Sequence, residues 1–489
     1  MKNLVMLALL AAAAPALSAP AEATPPVDAG RQWLAGDHHV HSEWSVDWDR
    51  RTTPPTPVRG GDSPYSRSHN AAQARVFGLR WMVHTDHGGP GHSAVTRDHA
   101  YPALLQARTD VPEVIQFNGM EFDVPAGEHA SLIIAPGPQE REQLVIAERD
   151  FSRSEPLHGS RDSEQQMQAA LVYLRGLAPA PLMFINHPSR TATGIGEWGE
   201  VTPDELRGWH AAAPQVLVGM EGAPGHQAIR SERGLYRNAA APTLGGYDQM
   251  TAQVGGIWDQ MLADGIRFWI TANSDSHVNL RDGGRDYDPG EYSKTYAWAR
   301  PEAEDILDAL RNGRMFTVTG DLIDALELRV AARDSSAGMG GTLVLPAVQT
   351  MQVEVRARQP ARANANGQHP ALKRIELIVG SREEGGALQM QRRGFDAATW
   401  RRDGDWIVAR WSLPVPPRGG FVRVRGNSTG AVDALADAPG EDPWADLWFY
   451  SNPVFVRLPR VLARRASDVA PARLSRGGGR AGRGSSNCK

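Results

Sequence analysis

The sequence of 489 residues has a single cysteine, Cys488, close to its C-terminal end. One thiol cannot form an intrachain disulfide, so a disulfide-stapled fold is excluded and thiolate metal sites are not expected. Any metal ligands must therefore offer nitrogen or oxygen atoms. Positive charge is not in excess either, because the formal net charge is -4. We therefore expect no nucleic-acid partner.

The N-terminal apolar run is too short to cross a membrane. It extends from Leu4 to Leu17 after Lys2 and is followed by small residues, whereas a spanning helix needs roughly 20 apolar residues. This layout is typical of a secretory signal peptide that is cleaved after Ser18 or Ala23. We expect a signal peptide over residues 1–23, no membrane anchor, and a secreted or periplasmic mature protein.

The chain is too long for one compact core, which predicts two domains plus tails. Residues 34–320 alternate helix-like stretches with short apolar runs typical of buried parallel strands. These runs are Leu79–Val83, Val114–Phe117, Leu182–Ile185, Val216–Val218 and Ile266–Ile270. A polar segment rich in His, Asp, Glu or Asn follows each run. Because the C-terminal ends of strands meet on one face of a β/α barrel, we predict an α/β barrel with its chemistry on that face.

After Gly320 the apolar residues alternate with polar ones, as in Met351–Ala357, Ile407–Leu413 and Val422–Val424. A period of two indicates half-buried antiparallel strands. We expect a small all-β sandwich over residues 321–458. Residues 459–489 are rich in Arg and Gly with few large apolar side chains, so we expect a disordered tail.

Histidines and acids stand at the positions where the strands of a barrel would converge. His39 and His41 are two residues apart, which places both imidazoles on one face of an extended segment. Asp275 and His277 repeat this spacing, and the remaining candidates follow or precede apolar runs: His87, Glu121, His129 and His187. Imidazole with carboxylate suits Zn(II), Mn(II) or Fe(II), and these ligands exceed the needs of one ion. The sequence therefore predicts two or three divalent metal ions, with Glu121 as the bridging ligand.

Five ordered motifs resemble those of the polymerase and histidinol phosphatase (PHP) superfamily of metal-dependent phosphoesterases. They are His39-x-His41, Thr85-Asp86-His87, Gly119-Met120-Glu121, Asn186-His187-Pro188 and Ser274-Asp275-Ser276-His277. The similarity spans about Leu34 to Gly320, and the export signal and the trailing β-region look closest to the branch that includes carbaryl hydrolase. The resemblance implies a distorted seven-stranded β/α barrel that holds two or three metals.

The resemblance also implies a role for each ligand. His39, His41, Glu121 and Asp275 would hold one metal, His87 and His277 a second, and Glu121, His129 and His187 a third. The family often has Asp or His five residues after the second histidine of the first motif. Val46 stands there in this chain, so Asp47 is the expected substitute, and the choice between two and three metals stays open.

Metal-bound water becomes a hydroxide nucleophile near neutral pH. The leading hypothesis is an exported phosphoesterase that hydrolyses a small anionic ester, either a phosphate monoester or a diester. Three residues are candidates for catalytic roles. Asp86 would orient His87 or the attacking water, and Arg190 would bind substrate oxygens or form a surface ion pair. His84 would act as an acid or only pack in the core.

Two other functions stay open. A metallohydrolase of carbamates or carboxylic esters would use the same hydroxide and an apolar wall, for which Trp44, Trp81 and Trp198 are candidates. Convergent cations at Arg190 and Arg230 favour phosphate instead. The third hypothesis is a non-catalytic protein whose β-region binds a polymer.

Overall fold

The structure is a computed structural model that describes residues 30–157, 159, 161–225, 236, 238–345 and 349–459. The expected signal peptide, Arg230 and residues 460–489 of the expected tail lie outside the described residues.

The helices are concentrated before residue 320 and turn apolar faces towards a sheet. They are α1 (Arg67–Val76), α2 (Ser93–Val95), α3 (Tyr101–Asp110), α4 (Glu140–Phe151), α5 (Glu164–Arg175), α6 (Pro203–Ala212), α7 (Gln249–Ala252), α8 (Ile257–Ala263) and α9 (Ala303–Arg311). A five-residue π-helix over Thr96–Ala100 joins α2 to α3. A capping box of Thr202 and Glu205 begins α6. No helix in the described ranges is both long enough and apolar enough to span a bilayer.

The strands extend over the whole described chain. They are β1 (Gln32–Asp37), β2 (Asp47–Asp49), β3 (Thr56–Val58), β4 (Trp81–His84), β5 (Ile115–Asp123), β6 (His129–Ile134), β7 (Leu182–Ile185), β8 (Leu217–Ala223), β9 (Trp269–Ala272), β10 (Ser293–Ala299), β11 (Met315–Thr319), β12 (Ala325–Ala332), β13 (Ser335–Ala337), β14 (Thr342–Val344), β15 (Thr350–Arg358), β16 (Arg374–Arg382), β17 (Leu388–Phe395), β18 (Arg401–Asp403), β19 (Trp406–Pro414), β20 (Gly420–Asn427), β21 (Trp448–Ser451) and β22 (Val454–Arg457).

The largest sheet is mixed, with strand order β14-β22-β20-β21-β11-β10-β1-β4-β5-β6-β7-β8-β9, and β16 and β17 branch from β20. Strands β1, β4 and β5 are parallel, as are β7, β8 and β9. Strand β6 is antiparallel to β5 because the turn Val124–Glu128 is too short for a parallel crossover. It is antiparallel to β7 as well. The predicted α/β class is confirmed, and each predicted apolar run overlaps a strand.

The sheet curls so that β9 returns to the side of β10. The Thr295 hydroxyl accepts from the N–H of Ala272 and donates to its carbonyl, each at 2.8 Å. The Asn452 side chain bonds the N–H and the carbonyl of Ile270, each at 3.0 Å. These side chains satisfy backbone groups of β9 that no strand ladder satisfies. The curl brings the C-terminal ends of β1, β4, β7, β8 and β9 to one edge.

The strands after residue 320 pair antiparallel, as their alternating pattern predicted, except that β14 and β22 are parallel. A second sheet has the order β13-β12-β15-β19-β18, and alternate residues of β15 are buried. Its apolar face shares a core with the large sheet, where Val353 and Leu328 belong to the same cluster as Leu377. Strand β11 precedes the expected boundary at Gly320 and pairs with β21. Backbone hydrogen bonds therefore cross that boundary, and one sheet joins the two regions.

A buried ion pair also joins the two regions. Arg423 on β20 and Asp259 on α8 are 0% and 1% exposed, and the guanidinium donates to both carboxylate oxygens at 2.6 and 2.8 Å. The bidentate geometry compensates the desolvation of both charges. Removing one partner would leave the other charge buried and uncompensated.

Replacing Asp259 by Asn should therefore lower the free energy of unfolding by about 3–5 kcal/mol, as measured by chemical denaturation. Glu354→Ala, which breaks the exposed pair with Arg410, is the control and should change stability little. A similar small effect for both variants would show that the buried pair does not hold the regions together.

Candidate metal centre

The edge formed by the strand ends gathers the histidine and acid motifs. Three overlapping groups there present nitrogen or oxygen atoms that lie within 4.8 Å of one another. Their members are His39, His41, Asp62, His87, Glu121, His129, Asp275 and His277. The geometry of each group decides whether it fits a metal ion.

The first group is His39, His41, Glu121 and Asp275, each at most 1% exposed. His39 Nε2 lies 3.0 Å from His41 Nε2 and 3.2 Å from Glu121 Oε1. Asp275 Oδ1 lies 3.1 Å from the Nε2 atoms of both histidines. Ligands about 2.0–2.1 Å from a tetrahedral ion are about 3.3 Å apart. The spacing of this group therefore fits one ion.

The second group adds Asp62, His87 and His277 beside His41. Asp62 Oδ2 lies 3.2 Å from His277 Nε2 and 3.9 Å from His87 Nε2. The ring of His41 stacks on that of His277 with centroids 3.7 Å apart. One carboxylate facing imidazole nitrogens suits a second cation next to the first.

The third group is centred on Glu121. Its Oε2 lies 3.0 Å from His87 Nδ1, and its Oε1 lies 3.0 Å from His129 Nδ1. His187 Nε2 is also 3.0 Å from Oε1. Glu121 therefore faces the first and third groups at once, which is the arrangement of a bridging carboxylate.

Hydrogen-bond partners favour one tautomer in three of the imidazoles. Glu221 Oε1 lies 2.7 Å from His39 Nδ1, and Glu128 Oε2 lies 3.0 Å from His187 Nδ1. His277 Nδ1 lies 2.9 Å from a backbone carbonyl. Each contact favours a proton on Nδ1, which leaves Nε2 as a lone-pair donor that points into the cluster.

The cluster concentrates buried negative charge. Burial lowers the pKa of His39, but the surrounding carboxylates, Asp275 first, outweigh burial and raise that pKa well above its ordinary value. Burial raises the pKa of Glu121, but His129 and other imidazoles hold it well below its ordinary value. The carboxylates therefore need positive charge beside them, which protonated imidazole or a metal cation supplies.

Two of the candidate ligands have strained backbones. His187 has a φ of 29° and Asp275 a φ of 47°, in the left-handed region that residues other than glycine rarely adopt. Such strain costs about 1–3 kcal/mol and persists where surrounding structure enforces it, often at functional sites.

The centre opens on one side. The side chains of His87 and Asp62 are 28% and 27% exposed, and that of Arg190 is 26% exposed. The first group is closed to solvent. Solvent therefore reaches the cluster across the second and third groups.

Asp47, the expected substitute ligand, does not join the cluster. It is the exposed first residue of β2, opposite Val58. Asp62 lies among the candidate ligands instead, after the β2–β3 hairpin carries the chain back. A Cβ on Gly61 would lie 2.7 Å from the Cβ of Asp47, so a glycine is needed at this return. Sequence reasoning missed Asp62, because no fixed spacing links it to His41.

Asp86 contacts the segment that follows the first motif, His39-x-His41, and does not orient the ring of His87. Its Oδ1 accepts from the backbone N–H of Ser42 at 2.6 Å, and its Oδ2 accepts from Arg67 at 2.7 Å. The carboxylate thus fixes the chain directly after His41. The structure assigns it this contact in place of the expected orientation of His87.

The two other catalytic candidates differ in position. His84 is 0% exposed, and its Nε2 lies 3.0 Å from Gln116 Oε1. Burial lowers its pKa to about 3, so it fits the packing alternative and not an acid. Arg190 donates to Glu128 Oε1 at 2.7 Å, and its Nη2 lies 3.3 Å from His129 Nδ1. It therefore borders the third group while taking part in an ion pair.

The tryptophans that suggested an apolar wall lie in different places. Trp81 is 0% exposed and belongs to the core, which Trp198 also contacts. Trp44 stacks on His99. Trp48, which sequence reasoning did not single out, packs on Gly89, where a Cβ would lie 2.0 Å from its Nε1. Of these side chains, Trp48 contacts the loop that follows His87.

No family model matches the chain, and no curated protein matches it significantly.

Replacing Asp62 by Ala should remove about one metal equivalent per chain, because the second group loses its carboxylate. Metal content after dialysis, measured by plasma mass spectrometry, checks this. Asp47→Ala is the matched control and should keep the wild-type content. Equal metal content in both variants would contradict the placement of Asp62 in the centre.

Proposed function

We propose that this chain is a metal-dependent hydrolase, and within that class a phosphoesterase, that holds two or three Zn, Mn or Fe(II) ions. The observation that carries the proposal is the carboxylate of Glu121. It is 1% exposed and lies 3.0–3.4 Å from imidazole nitrogens of His39, His41, His87, His129 and His187.

The curled mixed sheet supports a fold proposal as well. We propose that β1, β4–β9 and their helices form a distorted barrel of the PHP type. The motif order along the chain and the meeting of strand ends at one edge support it. The antiparallel β6 contributes His129 to the cluster, which a purely parallel barrel would not do.

Divalent ions bound here would supply a hydroxide nucleophile and stabilise charge on a substrate oxygen. The chain's own residues prepare the site for this chemistry. Glu221 holds the ring of His39, and Asp86 fixes the turn after His41. The first group, at the closed end, excludes bulk water, whereas His87 and Asp62 face the opening.

Arg190 supports an anionic substrate. Its partly exposed guanidinium borders His129 at the open side, where it can donate to oxygens of a phosphate. Glu128, which pairs with Arg190, also bonds His187. Glu128 thus links the guanidinium of Arg190 to the ring of His187, which limits the movement of the Arg190 side chain.

A carbamate or carboxylic ester hydrolase is the second candidate. Trp48 favours it, since this indole packs against Gly89, two residues after His87, and offers an apolar surface. Such a substrate would need no cation from the protein.

The experiment is a panel of an aryl phosphate monoester, an aryl phosphate diester and an aryl carbamate, tested before and after chelation. We expect phosphate ester hydrolysis that chelation abolishes and added metal restores. Arg190→Gln should lower kcat/KM for the phosphate esters by about 10–100-fold, as expected when one charge-assisted hydrogen bond is lost. It should leave any carbamate activity nearly unchanged.

Activity confined to the carbamate, indifferent to Arg190→Gln, would replace the first candidate by the second. Activity that survives complete metal removal, or that Glu121→Ala retains, would contradict the hydrolase proposal itself.

A further inference from the structure

The turn from His187 to Arg190 carries two side chains that lie at the third group. His187 Nε2 lies 3.0 Å from Glu121 Oε1, and the Arg190 guanidinium borders His129. The turn closes through a 2.9 Å bond from the Arg190 N–H to the His187 carbonyl. Since His187 has a left-handed φ of 29°, the turn needs contacts that hold it in this strained form.

Two buried carboxylates make these contacts. Glu221 Oε2 accepts from the N–H of His187 at 2.6 Å. Asp248 Oδ2 accepts from the N–H of Ser189 at 3.0 Å, and its Oδ1 accepts from the Ser189 hydroxyl at 2.9 Å. Glu221 also bonds His39, so its loss would disturb two metal groups. Of the segments that carry candidate ligands, Asp248 hydrogen-bonds this turn.

Asp248 is itself firmly placed. It is 0% exposed, its N–H donates to the carbonyl of Gly222 on β8 at 2.8 Å, and its side chain caps α7 by accepting from Met250 at 2.8 Å. The hydroxyl of Tyr236 donates to it at 2.7 Å. Four donors thus orient one carboxylate, which makes it a rigid support between β8 and the turn.

We propose that Asp248 is a positioning residue that sets the affinity of the third metal site, through the Ser189 bonds that hold His187 and Arg190. The inference rests on the metal centre of the proposed function and adds a separable determinant of one site. Asp248 hydrogen-bonds none of the candidate ligand side chains, so its effect would pass through the backbone of the turn. Loss of a supporting hydrogen bond typically weakens metal binding by about 10–100-fold.

The test compares wild type, Asp248→Asn and Ser189→Ala by manganese and zinc titration and by metal content after dialysis. In Asp248→Asn an amide hydrogen faces N–H donors, so we expect one metal equivalent to be lost or bound about 10–100-fold more weakly, with two retained. Ser189→Ala removes only the hydroxyl bond and should show a smaller weakening. Asp259→Asn is the matched control, because it also converts a buried carboxylate to an amide; it should lower the melting temperature and keep every metal.

Each outcome decides the proposal. Three metals of wild-type affinity in folded Asp248→Asn, or in Ser189→Ala if the first variant does not fold, would overturn it. A wild type with only two metals would also overturn it while the hydrolase proposal stands. A wild type that binds no metal would contradict the proposed function instead, and the inference with it.

Discussion

The site depends on the contacts between the carboxylate of Glu121 and the surrounding imidazoles. This carboxylate is buried at the edge of the curled sheet, where imidazole nitrogens surround both oxygens and the amide of Asn186 donates to Oε1 at 3.0 Å. A buried carboxylate is costly unless positive charge or hydrogen bonds compensate it. Five histidines contact this one group, and its charge explains why they lie together: His39, His41, His87, His129 and His187.

The fold places Glu121 there through the β5–β6 hairpin. Strand β5 extends past its apolar run to Asp123, and β6 returns antiparallel with His129 opposite Asp123. Strand β4, parallel to β5, and strand β7, antiparallel to β6, then deliver His87 and His187 from their C-terminal ends. The strained turns at His187 and Asp275 are held by hydrogen bonds to the carboxylates of Glu221 and Asp37 and by the bond from the His41 N–H to the Ser276 carbonyl. The rigid sheet thus stabilises local conformations that the turns would not adopt alone.

Much of this could be predicted from sequence. The apolar runs predicted β4, β5, β7, β8 and β9, because continuous apolar segments between polar ones indicate buried strands. The motif histidines lie together because strand ends meet in such sheets. Asp62 could not be predicted, since the β2–β3 hairpin returns it to the cluster without a regular spacing. The contacts of Asp86 and His84 depend on partners, Arg67 and Gln116, that only the tertiary structure brings near.

The most direct test is anomalous diffraction from crystals grown with zinc, recorded on both sides of the zinc absorption edge. We expect a strong anomalous peak about 2.0–2.1 Å from the Nε2 atoms of His39 and His41 and from the carboxylates of Glu121 and Asp275. A first group without a peak, whose imidazoles still bond directly to the carboxylates at saturating zinc, would contradict the metal centre.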